Sequence, residues 1–140
     1  MNTEIEKILA LTTLAIVGCS PKPDRPSHYV TDYLKSVGYK IVPVNPGQAE
    51  ILGERCYPNL VQIPHPVEAV VIFRKSEEVY PIVQEAIQIR AKAVWMQDGV
   101  YHLAAAQAAI HAGLWVVMDD CIMRQHQSHG GPFRKTITHC

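Results

Sequence analysis

The sequence carries no excess charge of either sign, since 13 Lys and Arg residues balance 13 Asp and Glu. Without an overall field to draw it onto a polyanion or an acidic surface, neither nucleic acid nor membrane is expected as a partner. Any anion site has to be local. Long hydrophobic runs are also missing. The first apolar stretch, ILALTTLAIVGC (8–19), is interrupted by Thr12 and Thr13 and closed by Gly18, too short for a bilayer span, and no secretory signal is read. The 4 cysteines, Cys19, Cys56, Cys121 and Cys140, form no CxxC pair. That spacing argues against a disulfide framework and predicts free thiols in a reducing cytoplasm. There is no HExxH, no paired-carboxylate motif and no Ser, His and acid constellation, so a module that binds a ligand without chemistry of its own is the simpler expectation.

What is present suits one globular domain over 1–140. The chain has 140 residues, 48% hydrophobic and 19% charged, enough to bury a core without disulfides or metal. A lead-in segment (1–12) holds EIEKILAL (4–11), with Ile5, Ile8 and Leu9 at helical intervals. LAIVGC (14–19) is an unbroken apolar run, as expected of a strand covered on both faces. SHYVTDYLKSVGY (27–39) reads as a helix with Ser27 as its N-cap and Gly38 as its stop, followed by the strand KIVPVNP.

The unit then repeats. EAVVIF (68–73) predicts a strand and SEEVYPIVQEAIQIR (76–90) a helix capped by Ser76, with Pro81 near its first turns. KAVWMQ (92–97), YHLAAAQAAIHAG (101–113) and LWVVM (114–118) continue as strand, helix and strand. Apolar strands alternating with helices predict an α/β fold, a Rossmann-like open parallel sheet of about five strands with helices on both faces. The segment from Gly47 to Val67 reads as a connector with little helical period, and the chain from Asp119 as a loosely held polar tail (122–140).

Ligands of such sheets bind outside the carboxyl ends of the strands. Four loops sit there: GCSPKPDRPS, VNPG, FRKS and QDGV. In the first, Gly18 stands alone where a dinucleotide fingerprint needs three glycines. Pro21, Pro23 and Pro26 donate no N–H, so the loop is no all-amide cradle. It suits a diphosphate held by a few amides, a hydroxyl from Ser20 or Ser27, and the cations Lys22 and Arg25 at a helix start. A rigid turn with solvated charges explains that loop equally well on spacing alone. Asn45 and Pro46 end the second strand where a dinucleotide site usually has an acid for the ribose diol, and an acid would repel a ribose phosphate. Phe73 and Arg74 offer a flat apolar group beside a cation, suited to adenine and phosphate. Gln97 and Gly99 offer a side-chain amide and close backbone approach. Each alone reads as an ordinary strand-end turn; together, at one sheet edge, they favour a ligand.

The segments VGCSPKPDRPS, GYKIVPVNP, LGERCYPNL, FRKSEEV, VWMQDGV and AGLWVVMDDCI, in this order over roughly residues 10 to 126, closely resemble the small stand-alone CoA-binding proteins. Those in turn resemble the CoA-binding domain of the succinyl-CoA synthetase alpha chain. The resemblance implies coenzyme A, or an acyl-CoA, across the strand ends. By position it implies Gly18, Cys19, Ser20, Lys22, Arg25 and Ser27 on the diphosphate side. Asn45 and Pro46 would lie beside the nucleotide, Phe73 and Arg74 near adenosine, and Gln97 and Gly99 toward pantetheine. The phosphohistidine domain of the synthetase is not expected in this chain. A sensor, or an accessory to a CoA-using enzyme, is the role implied. The rival is an NAD(P)-dependent oxidoreductase or nucleotide-modifying enzyme on the same fold, against which the missing glycines and Asn45 both count.

Cys19 and Cys56 stand where the family more often has small non-thiol residues, and the tail runs beyond the family's usual ending. If exposed, Cys19 would have its thiol pKa lowered by the helix start and Lys22, which opens a mixed disulfide with CoA. Cys121 is expected to be buried and inert. Cys121, His126, His129, His139 and Cys140 offer soft metal ligands in a spacing that matches no strong zinc pattern.

Overall fold

Leu14 and Ile16 point to one side of the first strand and Ala15 and Val17 to the other, and this alternation divides the interior into two cores. A computed structural model describes residues 3–129. Its main sheet contains β1 (Thr13–Val17), β2 (Lys40–Val44), β5 (Ala69–Ile72), β6 (Ala93–Met96) and β7 (Trp115–Val117). The strands lie in the order β2-β1-β5-β6-β7, and every pairing is parallel. β1, β5 and β6 are buried on both faces, which is why their sequences are apolar without alternation.

Handedness explains where the helices go. Parallel crossovers are right-handed, so a chain stepping outward in one direction lays its helix on one face, and in the other direction on the opposite face. The step from β1 to β2 carries α2 (Pro26–Ser36), which buries Val30 and Leu34 in the first core, together with α1 (Thr3–Leu9). The steps from β5 to β6 to β7 carry α3 (Val79–Gln88) and α4 (Leu103–His111), whose Val79, Val83, Ala105 and Ala109 fill the second core. The chain reverses direction between β1 and β5, opening a crevice at their carboxyl ends.

Several sequence expectations are corrected. α2 starts at Pro26, with Arg25 at the N-cap and no side-chain cap bond, so Ser27 lies in the first turn and is not the cap. A 3-10 turn, Ser76–Glu78, precedes α3, and Ser76 Oγ accepts the Tyr101 N–H at 2.9 Å, so Ser76 ties two loops and caps no α-helix. As expected, Pro81 falls in the first turn of α3, where its missing N–H would have had no intrahelical partner. His102 is the N-cap of α4, accepting the Ala105 N–H at 3.1 Å. The connector contains a small hairpin of β3 (Glu50–Ile51) and β4 (Glu54–Arg55) and a 3-10 turn, Leu60–Gln62.

The largest correction concerns the tail. Ile122–Ser128 forms α5, whose Ile122 and His126 are buried against the first core. His126 Nδ1 lies 2.7 Å from Tyr33 Oη, so this histidine faces α2 and the interior. The first part of the polar tail, Ile122–Ser128, is therefore a packed helix.

Candidate functional site

Gly18 brings the strand ends together. Its φ is +85°, and a Cβ there would stand 2.7 Å from the Phe73 carbonyl oxygen and 2.8 Å from Arg74 Cδ. Only glycine allows the end of β1 to lie this close to the end of β5.

Beyond Gly18 the loop is held by its own hydroxyls. Ser27 Oγ accepts the Ser20 N–H at 2.9 Å, and Ser20 Oγ accepts the Lys22 N–H at 3.1 Å. His28 Nδ1 lies 2.8 Å from the Ser20 carbonyl. Asn45 ties the end of β2 to the end of β1, donating from Nδ2 to the Cys19 carbonyl at 2.8 Å and accepting the Gly47 N–H at 2.9 Å. Its amide thus joins the first two loops, a task that an aspartate in its place, with no N–H, could not perform.

Two adjoining cavities flank this crevice. The larger, about 580 Å³, is lined by Gly18, Ser20, Arg25, Ser27, Phe73, Arg74 and Gln97 among the residues expected from sequence. The smaller, about 290 Å³, is lined by Pro46 on the β2 side and shares Gly18 and Arg74 with the larger. Arg74 therefore lies at the divide, with its Nε donating to Glu78 Oε1 at 2.8 Å. Arg25, Arg74, Lys75 and Arg124 line the larger cavity; Arg74 is paired with Glu78 and Arg124 with Asp98 and Asp120, which leaves the positive charge of Arg25 and Lys75 uncompensated by an ion pair among the described residues.

Four sequence-predicted residues lie elsewhere. Lys22 is exposed and lines neither cavity. Asn45 and Gly99 act in the frame, the latter donating its N–H to Asp119 Oδ1 at 2.7 Å. Cys19 is 0% exposed; its Sγ approaches the Ser27 carbonyl at 3.6 Å and Thr31 Oγ1 at 3.8 Å. Burial pushes its thiol up to about 11, despite the Thr31 hydrogen bond, which acts the other way. The expectation of a low-pKa Cys19 thiol is overturned because the side chain turns into the core, where it lies fully buried against the Ser27 carbonyl and Thr31.

The far wall of the larger cavity was missed because it belongs to the segment read as a tail. Gln97 is only 4% exposed, and its Oε1 accepts the Ile122 N–H at 2.9 Å, holding the start of α5. Arg124 grips Asp98 with two bonds of 2.9 and 3.0 Å and reaches Asp120 at 3.1 Å. The Arg124 hydrogen bond holds the Asp98 carboxyl below the usual carboxylate range. Cys121 and Met123 complete this wall. Ile122 and His126, one helical turn apart and both buried, were the signal that could have revealed α5. Among the described residues no cluster of three or more His, Cys, Asp or Glu is placed to hold a metal ion, and His139 and Cys140 lie outside them.

A doubly wound parallel sheet with a cationic crevice at its switch point defines a Rossmann-like nucleotide-binding class of fold. Within that class, residues 12–127 match the CoA binding domain family, and the chain belongs to it. It is 37% identical over 126 residues to the uncharacterized protein YneT of Bacillus subtilis, covering 89% of this chain and 93% of YneT. A solved structure of a hypothetical protein from Pyrococcus horikoshii superposes with a TM-score of 0.88 at 40% identity, covering 91% of each chain. The chain is also 28% identical over 81 residues to an ADP-forming acetate–CoA ligase of Archaeoglobus fulgidus, 58% of this chain but only 12% of the ligase.

Proposed function

We propose that this protein binds coenzyme A or an acyl-CoA in the larger cavity, as a binding module serving a CoA-using enzyme or reporting on CoA. The observation that carries the reading is the cationic crevice closed around Gly18, where the ends of β1 and β5 nearly touch. Membership of the CoA binding domain family supports it. Ser20 and Ser27 each accept a backbone N–H and keep a hydroxyl hydrogen to donate to a phosphate oxygen. Arg25 stands beside them with no ion pair among the described residues. Arg74 can leave Glu78 at small cost, since an exposed pair of this kind contributes about 0–1 kcal/mol. Phe73 and Gln97 line the same cavity, which suits the adenosine and pantetheine parts of such a ligand. Among the described residues no helix is long and apolar enough to cross a membrane.

Titration calorimetry with CoA, dephospho-CoA and NAD tests the assignment. CoA should bind most tightly, and dephospho-CoA should lose affinity with the ribose phosphate. Equal affinity for CoA and NAD would overturn it. Native mass spectrometry of freshly purified protein adds an independent check, because a retained ligand reports its own mass.

A further inference from the structure

The lining of the larger cavity is chemically mixed. Ser20, Arg25 and Ser27 bring hydroxyls and a cation suited to an anion, and Gln97, Cys121 and Met123 bring an amide, a thiol and a thioether. Cys121 is 6% exposed, and its Sγ has no hydrogen-bond partner among the described residues. The thiols of Cys19 and Cys56 are engaged with backbone carbonyls and line neither cavity.

Gln97 supplies an independent sign that this cavity can take a ligand. The residue is only 4% exposed and its Oε1 is taken by Ile122, whereas Nε2 has no partner among the described residues and is left open to the cavity. A carbonyl entering the cavity would accept that N–H. A ligand that carries phosphates, amide carbonyls and a sulfur finds a partner for each among these lining residues.

We propose that Cys121 is a disulfide-exchange site for CoA, which the cavity delivers sulfur-first to its thiolate. The proposal rests on the CoA reading given above. The Cys121 thiolate attacks one sulfur of CoA disulfide, forming a Cys121–CoA disulfide and breaking the CoA–CoA bond. The electron pair leaves on the second CoA thiolate, which takes up the proton that Cys121 lost. One disulfide replaces another, so no further oxidant is needed. A second thiol reverses the reaction and frees Cys121.

The test uses the full chain and a Cys140→Ser variant, so that a thiol outside the described residues does not confuse the reading. Each is treated with CoA disulfide or glutathione disulfide, and the adducts are located by peptide mass spectrometry. Binding of desulfo-CoA, which has no sulfur to exchange, is measured separately by calorimetry. The expected result is a reducible CoA adduct on Cys121, formed at least about tenfold faster than the glutathione adduct and suppressed by desulfo-CoA, because binding raises the local disulfide concentration. Equal rates for the two disulfides, or an adduct confined to Cys19 or Cys56, overturn the proposal. If desulfo-CoA binds but Cys121 acquires no CoA, the thiol site is wrong and the CoA reading stands. If desulfo-CoA does not bind, both fall.

Discussion

Gln97 Oε1 accepts the Ile122 backbone N–H at 2.9 Å, and through that bond the end of β6 holds the start of α5. Replacing Gln97 with Leu leaves this N–H buried without an acceptor. The expected loss of unfolding free energy is about 1–3 kcal/mol. Gln97→Glu keeps an acceptor oxygen and should lose less. Urea denaturation of the three proteins gives the comparison, and a Leu variant as stable as the parent would show that the bond is dispensable.

Gly18 and Gly113 have nearly the same φ, +85° and +90°, but opposite surroundings. A Cβ on Gly113 meets nothing within 4 Å, whereas one on Gly18 meets the Phe73 carbonyl. Gly113→Ala should therefore cost only the left-handed conformation, about 1–2 kcal/mol. Gly18→Ala should cost more in thermal unfolding and also weaken CoA binding. Equal losses would mean that the crevice relaxes around the added methyl.

Arg25→Ala and Arg74→Ala are each expected to weaken CoA binding by about 1–3 kcal/mol through loss of a charge-assisted contact with phosphate. Both residues face solvent, so the ligand-free melting temperature should hardly move. Calorimetry and thermal melts on the same samples separate the two effects. A variant that fails to fold would instead assign its arginine to the frame.

The architecture was legible because a doubly covered parallel sheet leaves a simple trace. LAIV, AVVI and AVWM are wholly apolar and are separated by amphipathic stretches of helical period. The loops were legible as places but not as orientations. Cys19 follows a glycine whose positive φ redirects the chain, so its inward turn toward Thr31 could not be counted off from the strand. Asn45 reads as lying beside the nucleotide because it ends the second strand in place of the usual acid; what the sequence does not show is that its amide joins two loops. α5 escaped notice because IMRQHQS is mostly polar, and its buried face depends on partners distant in sequence, Tyr33 and Gln97.

The buried Cys19 thiol gives a pH dependence of definite sign. Its pKa rises from 9.0 to about 11 in the fold, chiefly by desolvation. A raised folded value favours folding while the thiol is protonated, so this contribution is complete below pH 9.0 and is lost as pH climbs toward 11. Urea midpoints measured from neutral to alkaline pH should fall along that limb, and Cys19→Ala should flatten it. The slope is the readout, because the substitution also removes packing. An unchanged slope would show that Cys19 does not titrate in this range.

The wall formed by Cys121, Met123 and Arg124 comes from α5 and the turn just before it, after all the strands of the sheet. The five strands can therefore all be paired while the larger cavity still lacks one wall, and that cavity is complete only once α5 has docked.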